Sequence, residues 1–464
     1  MRKLLILPIF LLLSPLFGQP YSTGAILDPV RYQQTDAKPV LVSRNYSSLP
    51  RSVSLKQYSP APGNQEQYCT CVGWSTAYAA RTISESIALN RTDRTATSNS
   101  VFSPLYVYKN ISTDSTGQTG TFITDALDCM MGEGAVKRPA FETNATFQNI
   151  ALPMYAGIRS YPIADYVRLF SNPGVPGTVN ERVPPVKKSL SEGKPVIIAM
   201  NTPLSFQNRG TTVWQPTESP NVEYDGHAMC VVGYDDDRYG GAFEVQNSWG
   251  TRWGDGGYIW IRYGDFAAFV DEAYEIIEHL ALYRDAARFA ASIAINVIND
   301  SRGMPVTYNS QGFYRTRFSY PLDTIFQFQM TNRYPAYVYA FSADDSSSDI
   351  ERIFPMPGVS PVLDYADSTV AWPGENEGIM IASTAGTHYL IVLYAKEALD
   401  IEAIERRFAE GRGTFPERVA RAVGSNFIPY RNVQYKSDAI EFSAESTNPR
   451  SVFGLLLAIE HHAR

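Results

Sequence analysis

The spacing of apolar residues along the chain changes twice, and each change marks a different kind of structure. From residue 71 to about 89, Ala, Ile and aromatic residues recur among Ser and Thr with no proline, the pattern of a buried helix. Residues 122–131 repeat apolar positions at helical spacing and stop at Gly132 and Gly134, which predicts a second helix. Residues 163–170 read as a third, ahead of a Pro- and Gly-rich loop at 172–177. After residue 190 the texture shifts to short β-branched runs. Residues 195–200, 228–234, 242–246 and 258–262 are predicted strands at close intervals.

Near residue 280 the pattern shifts again. Residues 292–298, 324–331, 336–343, 378–383 and 389–394 read as strands separated by turns. Residues 399–422 have helix-forming composition broken at 411–413, and strands return at 439–443 and 452–460. A helical half followed by a strand-rich half predicts an α+β domain with a cleft between the halves, over residues 49–285. A second, mainly β domain is expected over 286–464, with a helix-prone connection at 280–291. Residues 19–48 are polar, show no period and read as a flexible lead-in.

A chain of 464 residues is too long for one ordinary domain, which agrees with this division. With 44% apolar and 12% aromatic residues it can fill sizeable cores. Net charge is −7 and there is no run of Lys and Arg, which argues against nucleic acid or an electrostatic membrane anchor as partner. Arg2 and Lys3 followed by apolar residues 4–13 read as an export signal, residues 1–18, with cleavage expected near Gly18. That run is too short to span a bilayer, and no later run is long and apolar enough, so no transmembrane segment is expected after cleavage. The protein is therefore expected outside the cytoplasm, in the periplasm, on the outer surface or in the medium. Cys69, Cys71, Cys129 and Cys230 are too few for a disulfide framework, and Cys129 and Cys230 read as buried structural thiols.

Three separated segments carry chemistry: Gln65 to Cys71, Gly226-His227, and Asn247-Ser248-Trp249-Gly250. A thiol attacks a carbonyl only as thiolate, so its pKa must fall from about 8.5. Cys71 precedes the first predicted helix, whose N-terminal dipole favours negative charge. A histidine can take the proton, and an asparagine amide oxygen can orient that histidine, the roles open to His227 and Asn247. Trp249 can shield the pair from water. Gln65 is placed to donate to a developing oxyanion beside the backbone N–H of Cys71.

At these residues the chain resembles the papain family of cysteine peptidases, in a form similar to its bacterial members. The strongest part is Asn247-Ser248-Trp249-Gly250-Thr251-Arg252-Trp253-Gly254-Asp255-Gly256-Gly257-Tyr258, which matches the family's asparagine segment almost throughout. Gly226-His227-Ala228-Met229-Cys230-Val231-Val232-Gly233-Tyr234 is similar to its histidine strand. The resemblance covers residues 49–277. It implies a two-lobed catalytic domain that hydrolyses protein or peptide substrates without metal or cofactor. Cys71 is then nucleophile, His227 general base and acid, Asn247 the orienting residue and Gln65 the oxyanion donor.

The cysteine segment departs from the family pattern. Tyr68 stands where the family has a structural cysteine, Cys69 replaces a glycine, and Val72 follows the nucleophile. The family's usual disulfide in the helical half thus lacks a partner. His227 and Asn247 also lie further from Cys71 than the family's about 130–150 residues, and insertions at 111–120, 171–185 or 205–224 account for it. The stretch before residue 49 is too short for the long inhibitory propeptide usual in eukaryotic relatives.

The C-terminal domain resembles β-rich accessory domains of unknown function that follow catalytic domains in some bacterial cysteine peptidases. Two roles follow: a module binding a surface, glycan or protein ligand, or a structural clamp. The rival for the whole chain is a binding or structural protein on an inactive peptidase scaffold, with its function in the C-terminal domain.

Overall fold

The computed structural model describes residues 21–142, 158–171, 173–208, 210–279, 287–298, 303–309, 313–344, 349–365, 367–380, 385–448 and 450–463. The expected signal, residues 1–18, lies outside them, as do residues 280–286, where the division between domains was expected.

The first predicted helix forms as one continuous run, Cys71–Gly73, Trp74–Arg81 and Thr82–Ala88, whose middle part is π-helical. Every residue from Cys71 to Ile83 is buried, which is why the sequence has no polar stripe there. Helices Pro104–Ile111 and Ile123–Gly132 pack against it to form the helical lobe. The strand-rich lobe is an eight-stranded sheet. Its order runs Asp165–Arg168, Val270–Ile277, Val196–Asn201, Gly226–Asp235, Ala242–Gln246, Tyr258–Arg262 and Val213–Trp214, with Ser52–Ser54 added beside Gly226–Asp235. One apolar core joins the lobes: Val72, Ala80 and Ile83 of the helix meet Ile198, Met229 and Val231 of the sheet.

One local expectation fails and one helix was not anticipated. Residues 163–170 hold no helix; Asp165–Arg168 is an edge strand paired antiparallel with Val270–Ile277. Eight residues cannot separate a period of two from one of 3.6, and the neighbouring strand decides. Conversely, Val179–Ser191 is helical in spite of Pro184 and Pro185. Thr178 and Glu181 form a capping box at its start, and Val186 and Leu190 bury fully in the core, so packing outweighs the prolines.

From Ala287 onward the described residues form two packed sheets. The five-stranded sheet runs Ser368–Trp372, Phe326–Asn332, Ala287–Val297, Ile440–Ser446, Val433–Tyr435. The seven-stranded sheet has Val452–His462, Gly386–Ala395 and Ala336–Asp344 at its centre. Alternation sorts the side chains. Val338 and Ala340 face Phe328, Met330 and Phe442 in the inter-sheet core, while Tyr337, Tyr339 and Phe341 face helices Ile401–Glu410 and Phe415–Val423. The expected break between those helices at 411–413 is present. The stretch 287–291, expected in a helix-prone connection, is strand.

The lead-in expected to be loose is ordered from residue 21. Asp28 caps the helix Pro29–Gln34 by accepting from Val30 and Arg31 N–H, and Tyr32 is fully buried in the catalytic core. A second short helix, Ser43–Ser47, follows. The signal was present as Asp28-Pro29, a cap followed by proline at the first helical position.

Candidate active site

Cys71 begins its helix directly after Thr70, so the thiol sits at the helix's positive end. It is fully buried, and its sulfur is met by the backbone N–H of Ala228, the residue after His227. Burial pushes the thiol up to about 12, against the pull of that N–H.

His227 lies at the start of the central strand Gly226–Asp235 and is fully buried. Its Nε2 pairs with Asn247 Oδ1 at 2.7 Å, and its ring stacks on Trp249 at 4.4 Å. Asn247 Oδ1 also accepts from Ser248 N–H at 2.7 Å, which fixes the amide. Among the described residues Nδ1 of His227 has no hydrogen-bond partner. Asn247 therefore fixes the ring and leaves Nδ1 as the nitrogen available to a thiol. Burial lowers the histidine to about 4, with the Asn247 bond acting the other way.

Gln65 stands on the loop before the helix, and that loop is zipped to the asparagine segment. Gln65 N–H donates to Ser248 O at 2.8 Å, Gly250 N–H to Gly63 O at 2.8 Å, and Asn64 pairs with Trp249. Ser248 Oγ donates to Gln65 Oε1 at 2.6 Å, so the amide turns its Nε2 the other way. That Nε2 donates to Tyr68 O at 2.8 Å and to Ser22 O at 3.0 Å.

Ser22 belongs to the lead-in, which runs through the cleft as an extended strap. Its carbonyl also accepts from Trp249 Nε1 at 2.8 Å, and Tyr21 stacks on Trp249 at 4.8 Å. Gly24 and Ala25 N–H both donate to Gly226 O, at 3.1 and 3.0 Å. On the other wall Thr121 N–H donates to Gly24 O at 2.9 Å, and Ile26 N–H to Thr121 O at 3.0 Å. The fit needs glycine on both sides. A Cβ on Gly226 would meet Ala25 O at 2.2 Å, and one on Gly24 would meet Cys69 O at 2.6 Å. Burial of Cys71 and His227 beneath these contacts is the physical cause of both displaced pKa values.

The four residues singled out from the sequence thus fall around one site, with the two lobes contributing two each. Cys69 is half-buried, its sulfur 3.6 Å from Ser22 Oγ. Cys230 is buried as expected, whereas Cys129, expected to be buried, is only half-buried near the end of the helix Ile123–Gly132, and none of the four cysteines forms a disulfide. Two features were not read from the sequence: Ser248 as the holder of Gln65, and the strap. Ser248 lay inside a recognised motif but had no assigned partner. The strap is bound mostly through its backbone, which leaves no side-chain signature. No group of three or more His, Cys, Asp or Glu able to hold a metal occurs among the described residues. No helix among them is long and apolar enough to cross a membrane.

Comparison with known proteins gives the following. Residues 165–276 match the family model described as papain family cysteine protease. This stretch includes His227 and Asn247; Cys71 and Gln65 precede it. An uncharacterized peptidase C1-like protein of Acanthamoeba polyphaga mimivirus is 32% identical over 89 residues, which are 18% of this chain and 28% of the viral protein. Among solved structures, xylellain, a cysteine protease from Xylella fastidiosa, aligns with TM-score 0.44 at 20% identity, over 56% of this chain and 96% of that one. The bromelain protease of Ananas comosus aligns with TM-score 0.39 at 18% identity, over 50% of this chain and 100% of that one. The α+β class, with a further β-rich region after the two lobes, is borne out, and the expected papain-family resemblance is met by the family model over residues 165–276.

Proposed function

Proceeding from a papain-family cysteine peptidase domain, we propose that the chain is an exported endopeptidase that hydrolyses peptide bonds through Cys71, His227, Asn247 and Gln65. One observation carries the reading. His227 Nε2 is held by Asn247 at 2.7 Å, and its unpartnered Nδ1 lies beside the residue whose N–H meets the Cys71 sulfur. Export rests on the basic and then apolar N-terminus.

In this mechanism the Cys71 proton passes to His227 Nδ1 and the sulfur attacks the peptide carbonyl carbon. The oxyanion accepts from Gln65 Nε2 and Cys71 N–H, the positions now filled on the Gln65 side by the Ser22 carbonyl. His227 returns the proton to the departing amine, leaving a thioester on Cys71. A water activated by the same histidine then hydrolyses the thioester and frees the thiol. Displacing the strap readmits water, which lowers the cost of ionising the thiol and imidazole.

The rival reading, an inactive scaffold whose function lies in the C-terminal domain, draws on the full burial of Cys71. Against it, Gln65, His227 and Asn247 keep their groups in place, with the strap's Ser22 carbonyl on Gln65 Nε2. The discriminating experiment is alkylation by an epoxide or iodoacetamide near neutral pH, followed by peptide mapping. Rapid labelling of Cys71 with parallel loss of peptide hydrolysis supports the enzyme. A Cys71 that stays unlabelled and a protein that cleaves nothing, even after the strap is displaced, support the scaffold.

A further inference from the structure

The strap does not end at the catalytic lobes. The part in the cleft is small and weakly apolar, with Ser22, Thr23, Gly24 and Ala25 in sequence, so its occupancy depends on how firmly its continuation is held. One grip is catalytic: Tyr32 in the core and Asp28 N–H on Glu272 Oε1 at 3.2 Å. The other belongs to the C-terminal sandwich. Ala37 pairs with Arg168 of the catalytic sheet on one side and with Val359 on the other, its N–H donating to Gly358 O at 2.8 Å. Leu41 is a member of the sandwich's inter-sheet core and pairs with Val370. Val42 N–H donates to Thr369 O at 3.0 Å, and Thr369 N–H returns to Asn45 Oδ1 at 3.1 Å.

Between the two domains the Lys38 amine is buried against Glu275 of the catalytic sheet and, at 3.3 Å, Asp364 of the sandwich. Lys194 reaches the same two acids. Paired charges this deeply buried fix geometry, because separating them leaves an acid uncompensated in the interior.

Resting on the peptidase reading above, we propose that the C-terminal domain is the clasp of an intramolecular latch. By gripping residues 37–45 it keeps residues 21–27 over Cys71, so access to the nucleophile is set at an interface far along the chain from it. The partner of this sandwich surface is the chain's own N-terminal segment.

The test uses the full chain. Gly24→Val unseats the strap directly, Lys38→Met and Asn45→Ala loosen the distal grip, and Val40→Ala, at an exposed position, is the control. Circular dichroism and chromatography establish that each variant is folded. Two rates are measured: iodoacetamide labelling of Cys71, and hydrogen exchange of the Gly24, Ala25 and Ile26 amides. The latch predicts at least a five-fold rise in both for the two grip variants, a larger rise for Gly24→Val, and none for Val40→Ala. Grip variants whose amides exchange within two-fold of the parent, while Gly24→Val exchanges faster, overturn it. If the amides exchange faster but Cys71 stays inert in every variant, the latch stands and the peptidase reading falls.

Discussion

Two strands of this chain invite comparison. Gly226–Asp235 and Gly386–Ala395 are each ten residues long, each central in its sheet, each starting with glycine and carrying a histidine close behind. His227 and His388 are both buried. His388 meets His461 edge to face at 4.9 Å, and His461 in turn meets Phe326. His227 meets an asparagine oxygen, a stacked indole and, through the next residue, a thiol. A buried histidine therefore gains a chemical role from its neighbours, and the strand that carries it gives no sign. Along the catalytic strand the neighbours come from two distant segments, around Cys71 and at 247–249; the ring that meets His388 comes from Val452–His462, the strand paired with its own.

The largest effect expected follows from that difference. Cys71→Ala should lower peptide hydrolysis by ~10³-fold or more with the fold retained, and Cys69→Ala by no more than a few-fold. Steady-state rates on a short peptide check this, and the opposite ranking would move the nucleophile by two positions. His227→Ala should cost nearly as much as Cys71→Ala, while Asn247→Ala should cost less, because it removes orientation and not the base.

Gln65→Ala comes next, at about 10²-fold in kcat, the loss expected of one oxyanion donor. Ser248→Ala, which releases the Gln65 amide without deleting it, should cost less than Gln65→Ala, with KM little changed. Equal losses for the two would assign Ser248 a role of its own. The comparison is sharpened by a substitution in the sandwich. Phe442 is buried against Phe453 and Tyr394, and Phe442→Ala should destabilise the fold by ~3–5 kcal/mol. Hydrolysis by the protein that remains folded should stay within a few-fold, measured alongside its thermal unfolding.

The smallest effect is one of pH. Burial lowers His227 from 6.5 to about 4 while the strap is seated. The open state binds a proton below pH 6.5 that the closed state refuses until about pH 4. The contribution of His227 to closure is thus fully present above pH 6.5 and is lost as pH falls toward 4. Amide exchange at residues 24–26, corrected for its intrinsic pH dependence, should accelerate across that window, and His227→Ala should remove the acceleration.

The sequence was legible where local chemistry and tertiary context agree. Cys71, His227 and Asn247 stand in motifs whose order along the chain pointed to a shared site, and the strands 242–246 and 258–262 were found with their observed bounds. It was not legible where packing decides. Asp165–Arg168 takes its strand form from the neighbour it pairs with, and Val179–Ser191 stays helical around two prolines because its apolar side is buried. The strap is the third case. Its residues 22–25 are small and mix polar with apolar, so nothing in their pattern announces a segment held by backbone hydrogen bonds to Gly226 and Thr121.

The central claim is that Cys71 is the nucleophile of a site closed by the strap. Its most direct test is peptide mapping of the Gly24→Val protein after brief iodoacetamide treatment near neutral pH, with residual hydrolysis measured in the same samples. The account predicts that modification concentrates on Cys71, that activity falls in step with it, and that the parent protein reacts more slowly. Full hydrolysis after Cys71 is alkylated, or labelling that spares Cys71 and accumulates at Cys69 as activity disappears, would contradict it.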